Sequence, residues 1–440
     1  MKKNKFQAPE LLLPAGNMQK LKIGLEYGGD AFYLGFTPFS LRCNDNGFNK
    51  NDLLEGREMI KSAGKKCYLT MNIYPKSEKI EPLKKQIEFV RKEVKPDAII
   101  VADAGVVEML KEYYPEVEIH MSVQANIMNH RAVEFWKKQG ATRIILPREL
   151  SLKDISAIKK NVHDVELEFF VHGAICVAYS GRCLLSNYMS GRDSNQGACA
   201  HSCRWKYKVL KEDEKEAREK QLEEETYYIE EEKRPGEFYG IKEDEHGTYF
   251  MNSKDNCMLP YLKELTEAGI CSFKVEGRNK SEYYLATVAK AYRQGIDDMM
   301  GGKDFDKNLL KEVEKTANRK FIPGFLFGFK VETKDVYYES NAPLQTHKFV
   351  GMVLGKAKLK QKKEDLYEVT IKNRLDKGEE VEIMTPNNQF ILKVEELFDL
   401  EGNQLESVHG GAGNKILKLK KGIEYGAMLR KRFLTPALRK

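Results

Sequence analysis

Arg143-Ile-Ile-Leu-Pro147, a segment of helical period from Leu152 to Asn161, and Leu167-Glu-Phe-Phe-Val171 follow one another directly. Each apolar run is short and dense in β-branched or aromatic residues. The piece between them spaces its apolar residues three and four apart. That is a strand, a helix and a strand, and the same unit recurs in both directions along the chain. The further apolar runs are Glu10-Leu-Leu-Leu-Pro14, Ala31-Phe-Tyr-Leu-Gly35, Cys67-Tyr-Leu-Thr-Met-Asn72, Ala98-Ile-Ile-Val-Ala-Asp103, Ile119-His-Met-Ser-Val123 and Cys271-Ser-Phe-Lys-Val275. Helix-like stretches between them include Met18 to Tyr27, Leu53 to Ala63, Leu83 to Val94 and Ala132 to Gln139. Eight alternating units predict an α/β fold, a TIM-type (β/α)8 barrel over residues 1–300. An open doubly wound sheet would carry a glycine-rich dinucleotide turn after its first strand, and Pro14-Ala-Gly-Asn17 is not G-x-G-x-x-G.

Past Tyr292 the pattern changes. A helical connector over 301–345 leads into short alternating strands: Val350-Gly-Met-Val-Leu354, Tyr367-Glu-Val-Thr-Ile371, Val381-Glu-Ile-Met384, Phe390-Ile-Leu-Lys-Val394 and Ala427-Met-Leu-Arg430. They predict a small C-terminal all-β barrel domain over 346–440. Its Lys356, Lys358, Lys360, Lys362 and Lys363 would either follow a polyanion or solubilise an edge strand.

Between the seventh and eighth strands lies an insertion at about 176–257. It opens with four of the chain's eight cysteines, Cys176, Cys183, Cys199 and Cys203, and continues into a charged run from Lys211 to Pro235. The charged run reads as a solvated helix or mobile excursion. No segment approaches the roughly 18 apolar residues of a membrane span, and the N-terminus lacks the apolar core of an export signal. The expected setting is the cytoplasm, with no membrane partner, where thiols stay reduced and serve as soft ligands. A net charge of +7 suits a phosphate-bearing substrate without requiring one.

In a (β/α)8 barrel the loops after the strands gather on one face. The four cysteines belong to that face, and Cys257, ahead of the eighth strand, joins it. Their spacing, C-x6-C, C-x15-C and C-x3-C, matches neither a stock zinc nor a stock iron-sulfur pattern. A cluster, a zinc site and unligated thiols all remain open on spacing, while Cys43, Cys67 and Cys271 read as small core or strand residues. Other polar residues recur at strand ends: Asn72, Asp103, Gln124, Asn126, Arg148, Glu149, His172, Lys274, Glu276 and Arg278. Arg148, Lys274 and Arg278 would suit a small dicarboxylate or a phosphate. Glu149 and Glu276 would orient them or work as acid and base, and His172 stands beside Cys176. Arg204-Trp205-Lys206-Tyr207 interleaves cations with aromatics, as unpaired bases require, or else simply packs over the loop.

At these residues the chain resembles the collagenase-like peptidase family U32. The likeness rests on Glu168-Phe-Phe-Val-His-Gly-Ala-Ile-Cys176-Val-Ala-Tyr-Ser-Gly-Arg-Cys183, Pro9-Glu-Leu-Leu-Leu-Pro-Ala-Gly16, Ser122-Val-Gln-Ala-Asn126, Asn252-Ser-Lys-Asp255 and Lys274-Val-Glu-Gly-Arg278. It covers nearly the whole chain. Members most like it hydroxylate the wobble uridine of tRNA to 5-hydroxyuridine with prephenate. Others hydroxylate a 23S rRNA cytidine, or ubiquinone as iron-sulfur proteins. The resemblance implies a 4Fe-4S cluster on Cys176, Cys183, Cys199 and Cys203, with Cys257 as the alternative fourth ligand. It also implies prephenate as a carboxylate co-substrate, a tRNA anticodon loop as partner, and room for a paralogous or identical second chain. The family name implies a peptidase instead, but no G-x-S-x-G elbow and no H-E-x-x-H helix occurs. A cysteine nucleophile beside His172 or His201 would compete with cluster ligation. A non-catalytic RNA-binding or assembly factor is the third class.

Overall fold

The computed structural model describes residues 7–41, 47–176, 178–190, 192–194, 199–204, 226–230, 238–244, 247–249, 253–328, 344–358 and 365–433. Eight parallel strands form a closed barrel. They are β1 (Glu10–Ala15), β2 (Ala31–Gly35), β3 (Lys66–Met71), β4 (Ala98–Val101), β5 (Glu118–Met121), β6 (Ala141–Leu146), β7 (Glu166–Ala174) and β8 (Ser272–Val275). Closure is made by β8, which pairs with β1 through Leu11 and Phe273 and with β7 through Phe169 and Phe273. The strands are buried on both faces, which is why they read as apolar runs rather than alternating ones. Leu12, Tyr33, Tyr68, Ile100, Ile145 and Phe170 fill the interior, while Leu11, Leu13, Phe32, Ile144 and Phe169 meet the helices outside.

The connecting helices are α1 (Met18–Glu26), α2 (Lys50–Ser62), α3 (Ile80–Phe89), α4 (Ala104–Tyr113), α5 (His130–Lys138) and α6 (Leu152–Asn161). The helix expected to run unbroken to Val94 instead leaves α3 at Phe89 and widens into a π-turn over Val90–Val94. Asn17, Asn49, Asp103, Asn129 and Ser151 each accept a backbone N–H as N-caps, and Ser151 forms a capping box with Asp154. Asp103, a candidate site residue by its place at a strand end, is thereby occupied with starting α4.

The floor of the barrel is ionic. Arg143 is buried and donates to Glu10 (2.7 Å), Glu166 (2.6 Å) and Glu168 (3.2 Å), and Tyr68 Oη donates to Glu10 (2.7 Å). Above this, the fully buried Glu168 accepts from Lys274 Nζ at 2.7 Å. Burial pushes the Glu168 carboxyl up, yet Lys274 and Arg143 together reverse this and hold it below the ordinary range. Removing one partner from such a pair costs about 3–5 kcal/mol.

The elements between β7 and β8 include α7 (Leu185–Ser190), a short strand Asp255–Cys257, and α8 (Leu262–Glu267). Within the charged run, Thr226–Glu230 is a strand paired antiparallel with Phe238–Asp244, not helix. Thr226-Tyr-Tyr-Ile carries the β-forming residues that the surrounding charges disguise. The rest of that run, residues 211–225 and 231–235, lies outside the described residues.

The long helix α9 (Glu282–Met300) buries eleven of its residues. It is the wall on which the C-terminal domain is mounted. That domain is a seven-stranded antiparallel sheet curled into a half-barrel over Val350, Val353, Tyr367, Val381, Leu417 and Leu429. Its strand order is Gln389–Lys393, Glu380–Met384, Met428–Arg432, His347–Lys356, Leu366–Ile371, Asn414–Lys418 and Leu397–Phe398. Tyr27 Oη donates to Met384 O (2.9 Å) and Gly426 O (3.0 Å), and Tyr283 stacks on Phe349. Arg430 is fully buried between Glu312 and Glu382.

Candidate active site at the barrel mouth

The mouth is built from the C-terminal ends of the strands. At β7 the pairing with β8 slips between Lys274 and Val275, and Gly173 takes a φ of +113°. The chain then leaves the barrel. Ile175 is buried and its carbonyl accepts from Ser253 Oγ (2.6 Å); Cys176 is exposed. The loop returns across the mouth, where Gly181, at φ +71°, lies against the carbonyl of Gln124, leaving no room for a side chain. Glu149 anchors this crossing by accepting from Ser180 N (2.5 Å) and Ser180 Oγ (3.2 Å). Farther along, Ser186 Oγ donates to Arg192 O (2.6 Å) and accepts from Ala200 N (2.8 Å), and Ser194 Oγ donates to Cys183 O (2.8 Å). Small hydroxyls thus fold the segment on itself.

This segment carries Cys176, Cys183, Cys199 and Cys203, none of them in a disulfide, the first exposed and the others half-buried. The donor set fits a thiophilic metal or an iron-sulfur cluster. Among the described residues no group of three or more His, Cys, Asp or Glu side chains is drawn together around one point. The chemistry of a cluster site is present in the four thiols.

Beneath the loop, the three candidate cations share an aromatic pair. The Arg148 guanidinium lies 4.0 Å from the Phe170 ring centroid. Lys274 Nζ is 4.6 Å from Tyr33 and 5.4 Å from Phe170, and the Arg278 guanidinium is 5.5 Å from Tyr33. They differ in commitment. Lys274 is paired with Glu168, and burial lowers its pKa. Arg278 donates to Ser40 Oγ (3.0 Å), Thr70 Oγ1 (3.2 Å) and Leu41 O (2.5 Å), fastening the end of β3. Arg148 is half-buried and its side chain makes no hydrogen bond or ion pair among the described residues. Its guanidinium fork remains open for an oxyanion. Across the mouth, Asn72 Nδ2 donates to Gln124 Oε1 (2.8 Å), whereas buried Asn126 Nδ2 has no partner among the described residues.

His172 and Cys257 face elsewhere. The short strand Asp255–Cys257 pairs antiparallel with the end of β7, placing Cys257 opposite His172. Both are buried beside α9. Tyr292 Oη donates to Val171 O (2.6 Å), meets His172 Nδ1 at 3.3 Å, and lies 3.7 Å from Cys257 Sγ. Tyr284 and Phe321 close the other sides of the imidazole. Burial, aided by the charge of Lys280, pushes His172 down to about 3, and burial pushes the Cys257 thiol up to about 12. A neutral imidazole and a protonated thiol are the reverse of an activated cysteine–histidine pair. Glu276 joins the two regions through its backbone: its N–H donates to His172 O (3.0 Å), and its carbonyl accepts from Tyr284 Oη (2.8 Å).

Cys67 is core, as expected, and burial pushes its thiol to about 12; the half-buried Cys271 is pushed to about 11. Cys43, Trp205, Lys206, Tyr207, Lys360, Lys362 and Lys363, with the side chain of Arg204, lie outside the described residues. Tyr33, Phe170, Glu168, Ser180 and Tyr292 went unmarked in the sequence. A lone carboxylate inside Leu167-Glu-Phe-Phe was the available signal for Glu168.

A closed parallel barrel with a thiol-bearing loop after its seventh strand and an antiparallel C-terminal sheet defines the class of protein. The chain belongs to peptidase family U32: the family's domain matches residues 16–335 and its C-terminal domain matches residues 345–430. It is 40% identical over 421 residues to tRNA hydroxylation protein P of Escherichia coli, covering 91% of this chain and 92% of that one. It is 36% identical over 429 residues to tRNA hydroxylation protein P1 of Bacillus subtilis, covering 96% and 94%. A more distant relative, 28% identical over 350 residues and covering 76% and 78%, is named Collagenase in Porphyromonas gingivalis.

Proposed function

We propose that this chain is an RNA-modifying enzyme that hydroxylates the wobble uridine of tRNA at C5, with prephenate as co-substrate, in the cytoplasm. The single observation behind the reading is Arg148. Its guanidinium is stacked on Phe170, uncommitted among the described residues, and backed by Lys274 and Arg278. A planar fork over an aromatic floor suits a carboxylate attached to a flat ring. The identity with two tRNA hydroxylation proteins over nine-tenths of the chain or more supports the RNA side of the reading.

In this reading Arg148 takes the carboxylate, Asn126 Nδ2 donates to a substrate oxygen, and Glu149 holds the crossing loop over the mouth through Ser180. Lys274 and Glu168, neutralising each other, set the depth of the pocket floor. Cys176, Cys183, Cys199 and Cys203 would hold a 4Fe-4S cluster, with Cys257, buried against Tyr292, as the alternative fourth ligand. Such a cluster supplies electron-transfer or Lewis-acid chemistry next to the mouth.

Peptide hydrolysis is disfavoured by His172, the histidine nearest Cys176 in sequence, which is buried against Tyr292 and neutral. The test is nucleoside mass spectrometry of tRNA from a strain lacking its own hydroxylation proteins. This chain should restore 5-hydroxyuridine-derived nucleosides and Arg148→Ala should not; failure of the unaltered chain overturns the reading. Iron and sulfide analysis of anaerobically purified protein tests the cluster separately, and a stable, colourless, iron-free protein that restores the nucleoside overturns that part.

A further inference from the structure

The loop that crosses the mouth exposes what most proteins bury. Four of the ten large apolar side chains exposed among the described residues fall between Tyr179 and Met189: Tyr179 at 54%, Leu184 at 70%, Tyr188 at 88% and Met189 at 40%. Two exposed arginines, Arg182 and Arg192, stand among them, and the stretch from Tyr179 to Arg192 contains no Asp or Glu. Asp193 is the first acidic residue beyond it. The patch is held rather than loose. Gly181 rests on Gln124, Ser180 is clamped by Glu149, and Ser186 ties residues 192 and 200 together. Arg182 lies close enough to act electrostatically on Tyr74, whose hydroxyl donates to Gln124 O (2.6 Å). The cationic end of the patch therefore borders the mouth.

We infer that Tyr179 and Tyr188, with Arg182 and Arg192, form a stacking platform for unpaired RNA nucleotides at the rim of the barrel mouth. Charge decides between occupants. The stretch from Tyr179 to Arg192 contributes two arginines and no acidic residue of its own, and rings exposed in a segment of that charge match a flexible polyanion carrying flat bases, whereas a peptide or protein partner would need acidic residues to match the same arginines. A base seated on a tyrosine here would have its neighbour within reach of the mouth, so the platform feeds the site without forming part of it. The inference rests on the RNA-modifying reading given above and adds the surface by which the RNA is held.

The experiment is a binding titration of the full chain with two labelled RNA hairpins, one shaped like a tRNA anticodon arm with an open loop and one fully paired apart from a tight cap. Tyr188→Ala should weaken the open-loop hairpin about tenfold, and Tyr179→Ala should act in the same direction, since stacking contributes about 1–3 kcal/mol per base. Tyr188→Phe, which keeps the ring, should stay within about twofold. Arg182→Gln and Arg192→Gln should each lower the slope of log affinity against log salt by about 0.7. Neither tyrosine variant should change binding of the paired hairpin. Unchanged open-loop binding in both alanine variants overturns the platform. So does an equal loss on both hairpins, or sedimentation showing that Tyr188→Ala breaks a dimer of this chain. The two readings fail separately in the complemented strain. If the unaltered chain restores no hydroxylated uridine, the function fails; if it does and Tyr179→Ala/Tyr188→Ala restores as much, only the platform fails.

Discussion

Cys257 and Cys176 stand at the same end of β7 and have opposite surroundings. Cys257, registered opposite His172, is sealed between the strand and α9 with Tyr292 against its sulfur. Cys176, four residues beyond His172, is in solvent at the start of a loop fastened by serines and a glutamate. The two regions share a strand and a chemistry of thiols and imidazoles, and burial alone separates them. On the sealed side protons are held where they are: the thiol stays protonated, the imidazole stays neutral, and Tyr292 bridges them without transferring charge. On the open side the sulfur of Cys176 faces solvent. Reactivity here belongs to the position of a residue relative to the β7 bulge, not to its type.

The largest consequence is kinetic. A thiol pKa raised from 9.0 to about 12 lowers the thiolate fraction at neutral pH roughly a thousandfold, before access is counted. In metal-free protein, the exposed Cys176 should therefore alkylate far faster than the buried Cys257 or Cys67, read by mass spectrometry over a time course. Equal labelling of Cys257 and Cys176 would erase the distinction between the two sides. Next in size is packing. Tyr292→Ala removes a fully buried ring from α9 and should cost about 3–5 kcal/mol in denaturant unfolding, while Tyr188→Ala on the open loop should stay within about 0.5 kcal/mol.

The sealed side also makes a prediction about acid. A histidine whose folded pKa lies below its unfolded value binds a proton more readily when the chain unfolds. Stability is then unaffected above the unfolded value of 6.5 and falls as pH drops from there toward about 3. His172 should contribute about 1.4 kcal/mol per pH unit across that window. His172→Gln, which keeps a polar group beside Tyr292 and cannot titrate, should show a correspondingly shallower loss than the unaltered chain. Parallel stability curves for the two proteins would mean that His172 reaches water.

The open side was the more legible in sequence, and the sealed side the less. Eight apolar runs sufficed for the barrel, because parallel strands covered on both faces have no alternation to obscure them. Arg148, Lys274 and Arg278 were drawn from strand ends and do converge on Tyr33 and Phe170. What strand position could not show was which of them is already spent, since Glu168 and Ser40 come from distant parts of the chain. His172 belongs to the mouth face by its place at a strand end, and the slip between Lys274 and Val275 turns it toward α9. In the C-terminal domain the alternating lysines of Asn414–Lys418 look like a solvated loop, yet it pairs with the interior strand Leu366–Ile371.

The smallest effects should come from the clamp that keeps the open loop in place. Ser180→Ala removes the 3.2 Å hydroxyl contact to Glu149 and leaves the backbone bond, a loss of about 1 kcal/mol or less. Glu149→Ala removes both contacts and leaves the Ser180 N–H to water. Neither touches the core, so global unfolding should hardly move, while hydrogen exchange and proteolysis between Cys176 and Arg192 should speed up, more for Glu149→Ala than for Ser180→Ala. Because Gly181 lies against Gln124, a loosened loop should also unsettle the Asn72–Gln124 bond at the mouth. Local exchange should therefore rise at Gln124 as well. A variant in which the loop exchanges faster while Gln124 does not would show that the crossing merely overlies the mouth. Faster exchange at both would show that the thiol-bearing loop and the Arg148 pocket are one mechanical unit.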